Sequence, residues 1–477
     1  MESIWSRTWR AETRPSLEKH IQADVAVIGG GMAGILTAWQ LKQAGVKTVV
    51  LEAERIGGGQ TRNTTAKITA QHGLFCYQWI EKKGEETVRK YVQANQEAVE
   101  EYKRIIREQK IDCDFRISDA YVYSADVEQL KKEVEAAQKL GVSATLEREL
   151  EIPVSGCGAV RFPGQAQFHP LKFITVLARQ LCVYEHTPVT KVKEHLAETA
   201  GGSVRADKIV LATHFPFINF PGMYFTRMHQ ERSYVLALEG AGKLKGMYIG
   251  AGKEDFSFRS YDRYILLGGE AHRSGENQEG GEYAALIECA KKMFPQSTVA
   301  ACWSNQDCMT TDQIPFIGQY AEKYPYWFVA TGFQKWGMGS SMVAARLLRD
   351  LLCGRKNEYA EIFAPSRFSA EEIPNLLKEG GKAVKGLTKR FFSLPHKTIA
   401  ALEPGQGAIV ETPQGKAGVY KTKTGEIHQV NPVCPHLGCA LSWNPEEHSW
   451  DCPCHGSRFD GEGKWLNGPA QEGITRE

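Results

Sequence analysis

Two short cysteine–histidine segments near the C-terminus constrain this chain most. The first reads Cys434-Pro-His-Leu-Gly-Cys439, and the second, after a gap of 12 residues, reads Cys452-Pro-Cys-His455. A thiolate and an imidazole from each of two loops suit an iron–sulfur cluster in which two histidines replace cysteines on one iron. The same residue types also suit a structural zinc site, and loop cysteines without a metal are the third possibility. The first two alternatives require the two loops to converge.

The segment from Thr398 to the C-terminus resembles a Rieske domain, which is all-β and binds a [2Fe–2S] cluster. The resemblance rests on both motifs, on Ser457, and on a third loop, Gly468-Pro-Ala470, whose proline covers the cluster in that family. These additional features favour the cluster over zinc. The resemblance implies four ligands, Cys434, His436, Cys452 and His455. It also implies a disulfide between Cys439 and Cys454, as in the high-potential branch of the family.

A glycine-rich turn between a predicted strand and a predicted helix marks the N-terminal region. The apolar run from Asp24 to Ile28 leads into Gly29-Gly-Gly-Met-Ala-Gly34, and Ile35 to Ala44 has a helical pattern. A second apolar run, Val46 to Leu51, ends at Glu52. In a dinucleotide-binding motif the glycines allow close backbone approach, the helix N-terminus faces the pyrophosphate, and the acidic residue accepts from a ribose hydroxyl. The pattern predicts such a site but does not distinguish NAD from FAD.

Later segments resemble the D-amino-acid-oxidase-like flavoproteins, which include glycine oxidase and sarcosine oxidase. The matching segments are a second flavin loop (Arg55 to Thr65), an adenine-contacting strand (Glu185 to Val189), a strand that returns to the cofactor (Ala206 to Thr213), and a flavin-closing turn and helix (Thr310 to Gly318 and Thr331 to Ser341). His214 stands where that family usually has glycine. The resemblance spans about residues 20–370 and implies bound FAD.

The resemblance also implies which residues contact FAD. They are Gly29, Gly31, Met32, Ala33, Gly34, Glu52, Ala53, Arg55, Gly59, Thr61, Thr65, Val189, Ala212, Thr213, Asp312, Gly332, Gly337 and Met338. Some relatives attach their flavin through a cysteine. The spacing from Cys308 to Asp312 differs from theirs, so we expect FAD to be bound non-covalently.

The fold class implied is an α/β FAD-binding part of the Rossmann-like, glutathione-reductase type, with an α+β substrate part and an all-β Rieske domain. The FAD-binding part is expected at about 20–75, 155–215 and 305–370, the substrate part at about 76–154 and 216–304, a polar linker at 371–397, and the Rieske domain at 398–477. In the substrate part, Glu81 to Arg107 and Val127 to Leu140 have the periodicity of amphipathic helices, and Tyr234 to Leu238 and Tyr264 to Leu267 that of strands.

Composition excludes several classes of function. The 477-residue chain has a net charge of +2, so nothing indicates nucleic acid or an anionic membrane as a partner. It has no secretory signal pattern at its start and no apolar run long enough to span a bilayer. Eight of its 12 cysteines lie outside the motifs without metal-ligand spacing, which suits a reducing cytosol. The expected disulfide would be an exception there, protected by burial under the cluster.

Two missing motifs narrow the chemistry further. Gly240-Ala-Gly242 is followed by no helical pattern, so we find no second dinucleotide site for NAD(P)H. No site with two histidines and a carboxylate follows His455, which excludes a ring-hydroxylating oxygenase.

One cation in the flavin-closing turn is a candidate catalytic residue. Lys335 lies where some glycine-oxidase-like relatives have an arginine that holds the substrate carboxylate. It could equally be a surface lysine or face the flavin. Other polar residues that could face the cavity are Lys67, His72, His272 and Arg273.

These features together predict an FAD-dependent dehydrogenase for a small amine, amino acid or related molecule. The Rieske cluster would pass electrons singly to an external one-electron carrier. Reversed electron flow is the second hypothesis, and an electron-transfer partner with a vestigial substrate cavity is the third.

Overall fold

The computed structural model describes residues 2–154, 156, 158–252, 256–367, 398–413 and 415–476. Its helices are α1 (Ile4–Thr8), α2 (Met32–Gln43), α3 (Cys76–Lys83), α4 (Glu85–Glu108), α5 (Val127–Lys139), α6 (Pro170–Ala178), α7 (Glu282–Met293), α8 (Gly337–Leu352) and α9 (Ala360–Phe363). The predicted linker at 371–397 lies outside the described residues. Within the described ranges, no helix combines the length and the apolar character needed to cross a membrane.

The described residues that precede the C-terminal domain form nineteen strands. They are β1 (His20–Ile28), β2 (Thr48–Leu51), β3 (Lys67–Ile68), β4 (Arg116–Ile117), β5 (Ala120–Ser124), β6 (Thr145–Glu147), β7 (Gly158–Phe162), β8 (Ala166–Gln167), β9 (Cys182–Tyr184), β10 (Val189–Lys193), β11 (Leu196–Thr199), β12 (Ser203–Leu211), β13 (Met228–Glu239), β14 (Met247–Gly250), β15 (Ser257–Tyr261), β16 (Tyr264–Arg273), β17 (Thr298–Thr310), β18 (Phe316–Ala321) and β19 (Tyr324–Thr331).

A largely parallel sheet forms the centre of the N-terminal region. Strands β9, β2, β1, β12 and β19 lie side by side and run parallel, with β18 and the β10–β11 hairpin completing the sheet. Because these strands are buried, their sequences are continuous apolar runs, such as Val25 to Ile28. Helix α2 is buried from Met32 to Leu41 and packs on the sheet and against α6 and α8. The carboxyl ends of the parallel strands therefore share one edge, beside the start of α2.

A second sheet, of mixed direction, lies in the order β17-β13-β16-β15-β14-β5-β7-β6. Helix α7 packs on β13 and β16, where Leu236, Leu267 and Leu286 form part of a separate core. The two predicted strands in this region lie within β13 and β16. The single helix predicted from Glu81 to Arg107 is wrong, because Gly84 has a φ of +82° and separates α3 from α4.

The C-terminal domain consists of two small antiparallel sheets. The first contains β20 (Gly407–Thr412), β21 (Gly415–Lys421) and β22 (Ile427–Val430), and the second contains β23 (Ser442–Asn444), β24 (Ser449–Asp451), β25 (Arg458–Asp460) and β26 (Trp465–Asn467). Its core includes Val430, Leu441, Trp450, Phe459 and Ile474. One cysteine–histidine loop lies between β22 and β23, and the other lies between β24 and β25.

Candidate functional site

The glycine turn lies at the carboxyl edge of the parallel sheet. Gly29 has a φ of +111°, and a side chain there would overlap the carbonyl of Ala212 at the end of β12. A side chain at Gly34 would overlap the carbonyl of Gly29. Gly31 precedes α2 and offers no side-chain cap, so the first backbone N–H groups of the helix suit a phosphate. These close approaches fit the predicted nucleotide site.

Glu52 follows β2 and lies against this turn. Its carboxylate accepts from Gly30 N at 2.5 Å and from Glu54 N at 2.9 Å. Desolvation raises the pKa of Glu52, although both backbone hydrogen bonds stabilise the charged form. The predicted ribose-binding carboxylate therefore occupies the position that the sequence motif requires.

Among the remaining residues implied to contact FAD, Thr61 and Ala212 contact the glycine turn or the helix that follows it. Thr61 accepts from Met32 N at 2.9 Å and so joins the second flavin loop to the start of α2. Of the others, Ala33 lies in α2, Ala53 follows Glu52, Gly59 and Thr65 flank Thr61 along the loop, Val189 begins β10, Thr213 follows β12, Gly332 follows β19, and Gly337 and Met338 begin α8. The structure thus brings segments that are far apart in the sequence to a common edge.

Two of the predicted FAD residues are held by partners within the protein. Arg55 forms an ion pair with the buried Glu185 at 3.0 Å, and Glu185 also accepts from Ile56 N at 2.7 Å. Asp312 pairs with Arg367 at 2.6 Å, and although burial raises the pKa of Asp312, Arg367 lowers it overall. Sequence reasoning included Arg55 and Asp312 but did not identify the partners.

His214 adopts the conformation that a glycine would adopt without strain. Its φ is +67°, in the left-handed region, and its carbonyl accepts from the Thr331 hydroxyl. A glycine, which is usual at this position in the family that the sequence resembles, would adopt this backbone without strain. Nearby, Cys308 is buried, and burial raises the pKa of its thiol to about 12.

The two cysteine–histidine loops converge as predicted. A disulfide joins Cys439 to Cys454, and the sulfur atoms of Cys439, Cys452 and Cys454 lie within 4.8 Å of one another. Cys434 and Cys452 are both buried, and their thiols interact, which lowers the pKa of Cys434.

The two histidine rings of these loops lie next to each other. The ring centres of His436 and His455 are 5.0 Å apart, with planes at 88°. The Nδ1 atom of each ring is buried and has no hydrogen-bond partner among the described residues. Buried polar atoms are normally satisfied, so these two nitrogens and two thiols fit an iron–sulfur cluster.

The third loop closes over this site. Ala470 N donates to the buried Ser457 hydroxyl at 3.0 Å, which ties the loop Gly468-Pro-Ala470 to the second cysteine–histidine loop. Phe459 is fully buried on β25 and pairs with Trp450.

The histidine end of this site is packed against the segment that follows β12. His436 Nε2 donates to Asn219 Oδ1 at 2.6 Å. The ring of Phe225 lies 5.7 Å from His455 and 6.4 Å from His436, and Phe215 lies 6.3 Å from His455. The buried His455 ring therefore faces Phe215 and Phe225, in the segment that continues from the end of β12.

Strands of the second sheet hold the cysteine–histidine loops in this position. Gln230 donates to the carbonyls of His455 at 2.6 Å and Gly468 at 3.1 Å. Gln306 donates to the Gly456 carbonyl at 2.7 Å, and Arg273 donates to the Pro453 carbonyl at 3.1 Å. Arg273, a candidate for the substrate cavity, thus contacts the cluster loop.

A buried carboxylate adds an ionic contact to the same interface. Glu447 accepts from Arg232 at 3.1 Å, from Ser304 at 2.9 Å and from Tyr283 at 3.1 Å, all on the opposite side of the interface. Arg458, in the C-terminal domain, lies 3.5 Å from Glu447.

Two of the other cavity candidates, His272 and His72, have local partners. His272 Nε2 bonds the Tyr234 hydroxyl at 3.0 Å. His72 Nδ1 bonds the Tyr91 hydroxyl at 2.7 Å and its ring stacks on Trp336. Lys67 lies in β3, where burial lowers the pKa of its ammonium group to about 7.

Lys335 lies between the flavin-closing turn and the second sheet. Its Nζ is 3.2 Å from Glu231 and 4.0 Å from Asp307, which are directly opposite each other in β13 and β17. Burial raises the pKa of Asp307 to about 6, while hydrogen bonding to His229 and the charge of Lys335 lower the pKa of Glu231 to about 2. The predicted carboxylate-binding role of Lys335 stays a prediction.

Comparisons with known proteins agree with this two-part organisation. The family model for FAD dependent oxidoreductases matches residues 24–351, and that for the Rieske [2Fe-2S] domain matches residues 395–476. The Rieske 2Fe-2S iron-sulfur protein YhfW of Bacillus subtilis (strain 168) is 36% identical, over 98% of this chain and 96% of its own length. A cytochrome b6-f complex iron-sulfur subunit of Synechococcus elongatus is 54% identical over 19% of this chain and 52% of its own length.

Solved structures show the same fold in the N-terminal region. Glycine oxidase from Geobacillus kaustophilus superposes with a TM-score of 0.62 at 18% identity, over 73% of this chain and 100% of its own. L-proline dehydrogenase from P. horikoshii gives a TM-score of 0.63 at 19% identity, over 74% of this chain and 98% of its own. The predicted fold class is confirmed.

Proposed function

Because the chain belongs to the FAD dependent oxidoreductase family and has a C-terminal Rieske [2Fe–2S] domain, we propose that it is a dehydrogenase with a built-in one-electron carrier. Its substrate would be a small molecule with a C–H bond beside an amine, as in an amine, an amino acid or a related compound. The electrons would leave FAD through the Rieske cluster for an external acceptor. The comparisons show an FAD-dependent oxidoreductase with a Rieske domain. The substrate and the direction of electron flow are proposed.

One observation carries this proposal: a single segment borders both redox sites. Ala212 and Thr213, at the predicted FAD edge, lead directly into the stretch that contains Asn219 and Phe225. Asn219 binds His436, and the Phe225 ring contacts His455. The cluster ligands are thereby packed against the segment that continues from the predicted FAD edge, which supports direct electron transfer between the two centres.

The geometry supports a proposed set of residues for holding each group. The glycine turn, the start of α2 and Glu52 would bind the FAD pyrophosphate and ribose. Cys434, Cys452 and the Nδ1 atoms of His436 and His455 would bind the two irons, with the disulfide fixing the loops. Bound FAD accepts two electrons from a substrate and can release them one at a time. We further propose the division into FAD-binding, substrate and Rieske parts given by the sequence.

The nature of the cluster favours this direction of flow. A Rieske cluster with two histidine ligands is a better oxidant than an all-cysteine cluster, which suits it to withdraw electrons from reduced flavin. No second dinucleotide motif offers a route for loading electrons from NAD(P)H. The carrier that reoxidises the cluster would be a soluble or quinone-linked protein.

An anaerobic substrate screen tests this function. Amines, amino acids and betaine-like compounds are mixed with the holoprotein, and the flavin absorbance is followed. We expect at least one compound to bleach the flavin without any added donor. Bleaching that requires a reduced low-potential protein donor would indicate reversed flow, and no bleaching under either condition would indicate an electron-transfer partner without substrate turnover.

A further inference from the structure

The strands β13 and β17 separate two different environments. On one face, Arg232 and Gln306 contact the C-terminal domain. Because neighbouring side chains along a strand point to opposite faces, Glu231 and Asp307 point away from that domain. Trp303, on the same face as Asp307, donates to the carbonyl of Asn63 in the predicted flavin loop at 2.8 Å. Glu231 and Asp307 therefore lie on the side expected to face substrate and flavin.

The charges on this face do not balance through Lys335 alone. Glu231 and Asp307 are paired directly across the two strands, an arrangement that is unfavourable for like charges. Lys335 lies between them and can neutralise one carboxylate. His229 is 3.5 Å from Glu231 and adds a positive charge only when protonated. With His229 neutral, the two carboxylates and the Lys335 ammonium leave a single negative charge, because Arg273, which lies opposite Glu231 on β16, donates instead to the Pro453 carbonyl of the C-terminal domain.

The hydrogen-bonding capacity of this face is also one-sided. Asn305 donates from Nδ2 to Asp307 at 2.7 Å. Its Oδ1 atom is buried and accepts no hydrogen bond from the residues that the structure describes. A buried acceptor without a donor is destabilising, and a bound N–H group would supply the missing hydrogen bond. Glu231, Asp307 and Asn305 therefore suit a ligand that donates hydrogen bonds and carries positive charge.

We propose that this face binds a cationic amine without a carboxylate, held by Glu231, Asp307 and Asn305. Lys335 then acts as the counter-ion that keeps the two carboxylates together, instead of holding a substrate carboxylate. The inference rests on the proposed function and narrows its substrate class. It separates this chain from the glycine oxidase and L-proline dehydrogenase whose fold it shares, since the substrates in those names carry a carboxylate.

Two probes of the same shape and opposite charge test the inference. The tert-butylammonium ion has no hydrogen on the carbon beside nitrogen, so it cannot be oxidised there, and pivalate carries the same tert-butyl group on a carboxylate. Binding to the oxidised holoprotein is measured at pH 8 by calorimetry and by the shift of the flavin absorption band. At this pH Asp307 is ionised, because burial raises its pKa only to about 6. We expect tert-butylammonium to bind at least about tenfold more tightly than pivalate.

Substitutions show whether Lys335 is a counter-ion for the two carboxylates or holds a substrate carboxylate, because the two roles predict opposite changes in probe affinity. Asp307→Asn should weaken tert-butylammonium binding by about tenfold or more. Lys335→Met should tighten it by about threefold or more, because a competing cation is removed. If Lys335 instead holds a carboxylate, pivalate binds more tightly than the cation and Lys335→Met abolishes pivalate binding. Lys356→Met, at an exposed lysine, is the matched control and should leave both affinities unchanged.

The fold of each variant is checked by its flavin absorbance and thermal midpoint. Preferred binding of pivalate, or binding of neither probe, overturns the inference. A second experiment distinguishes failure of this inference from failure of the proposed function. It compares the rates at which pyrrolidine and proline, which differ only in a carboxylate, bleach the flavin anaerobically. Faster bleaching by pyrrolidine supports both, whereas faster bleaching by proline overturns the inference and leaves the dehydrogenase function standing.

Discussion

The buried Glu447 offers the sharpest test of how the Rieske domain is held. Its carboxylate bonds Arg232, Ser304 and Tyr283 across the interface. Replacing one member of a buried ion pair leaves an uncompensated charge, at a cost of about 3–5 kcal/mol. We therefore expect Glu447→Met to lower the free energy of unfolding of the holoprotein by about that amount. Urea unfolding, followed through the visible circular dichroism of the cluster and the fluorescence of the flavin, measures it.

Removing both Arg232 and Glu447 should lower the free energy of unfolding by less than the sum of the two single substitutions. In Arg232→Met/Glu447→Met no charge of this pair is left buried, and Arg458 keeps its partner Asp451 at 2.9 Å. Glu462→Met, at an exposed carboxylate paired with Lys464, is the control and should change stability by less than about 0.5 kcal/mol. A cost below about 1 kcal/mol for Glu447→Met, or a double variant whose cost equals the sum of the single costs, would refute this account.

The contribution of Glu447 should also depend on pH. Burial raises the pKa of this carboxyl, but Arg232 and Arg458 lower it overall below its ordinary value of 4.5. A group whose folded-state pKa is lowered stabilises the fold fully above the unfolded pKa and loses this effect as pH falls through the folded pKa. The difference in stability between native protein and Glu447→Met should therefore shrink in acid below about pH 4.5.

Three further predictions concern the cluster. Replacing any one of the four ligands should remove the [2Fe–2S] centre but leave FAD bound; the variants are Cys434→Ser, Cys452→Ser, His436→Ala and His455→Ala. Iron content and the electron spin resonance signal of the reduced cluster measure this loss. Survival of that signal in Cys434→Ser would show the ligand assignment to be wrong. Cys439→Ser or Cys454→Ser should lower the thermal stability of the cluster without abolishing its assembly. Redox titration should place the potential within about −150 to +300 mV but below the upper end, because Phe459 stands where the Rieske resemblance implies, for high-potential members, a tyrosine whose hydroxyl bonds a ligand sulfur. Phe459→Tyr should raise the potential and Ser457→Ala, at the serine implied to bond a bridging sulfide, should lower it, because hydrogen bonds to sulfur stabilise the reduced cluster.

The local motifs were predictable because each depends on residues close together in sequence. The turn Gly29–Gly34 and Glu52 lie where the strand–turn–helix pattern requires, and a disulfide joins Cys439 to Cys454. Gly84, which ends α3, was a signal present in the sequence that the amphipathic pattern of 81–107 concealed.

The interface between the two redox parts was not predictable from such patterns. Gln230 and His455 are separated by more than 200 residues, as are Arg232 and Glu447, and neither pair has a spacing signal. The same limit applies to Lys335, since its environment depends on Glu231 and Asp307 from two other strands. The sequence identified the cation but not the two carboxylates beside it, and those carboxylates change the expected substrate.

The order of electron transfer tests the central claim most directly. Holoprotein is mixed anaerobically with a substrate that bleaches the flavin, and the flavin and cluster absorbances are followed by stopped flow. We predict that flavin bleaching comes first and cluster reduction second, and that Cys434→Ser bleaches normally but loses turnover with a one-electron acceptor. Cluster reduction before flavin bleaching, or undiminished turnover in Cys434→Ser, would contradict electron flow from FAD through the Rieske cluster.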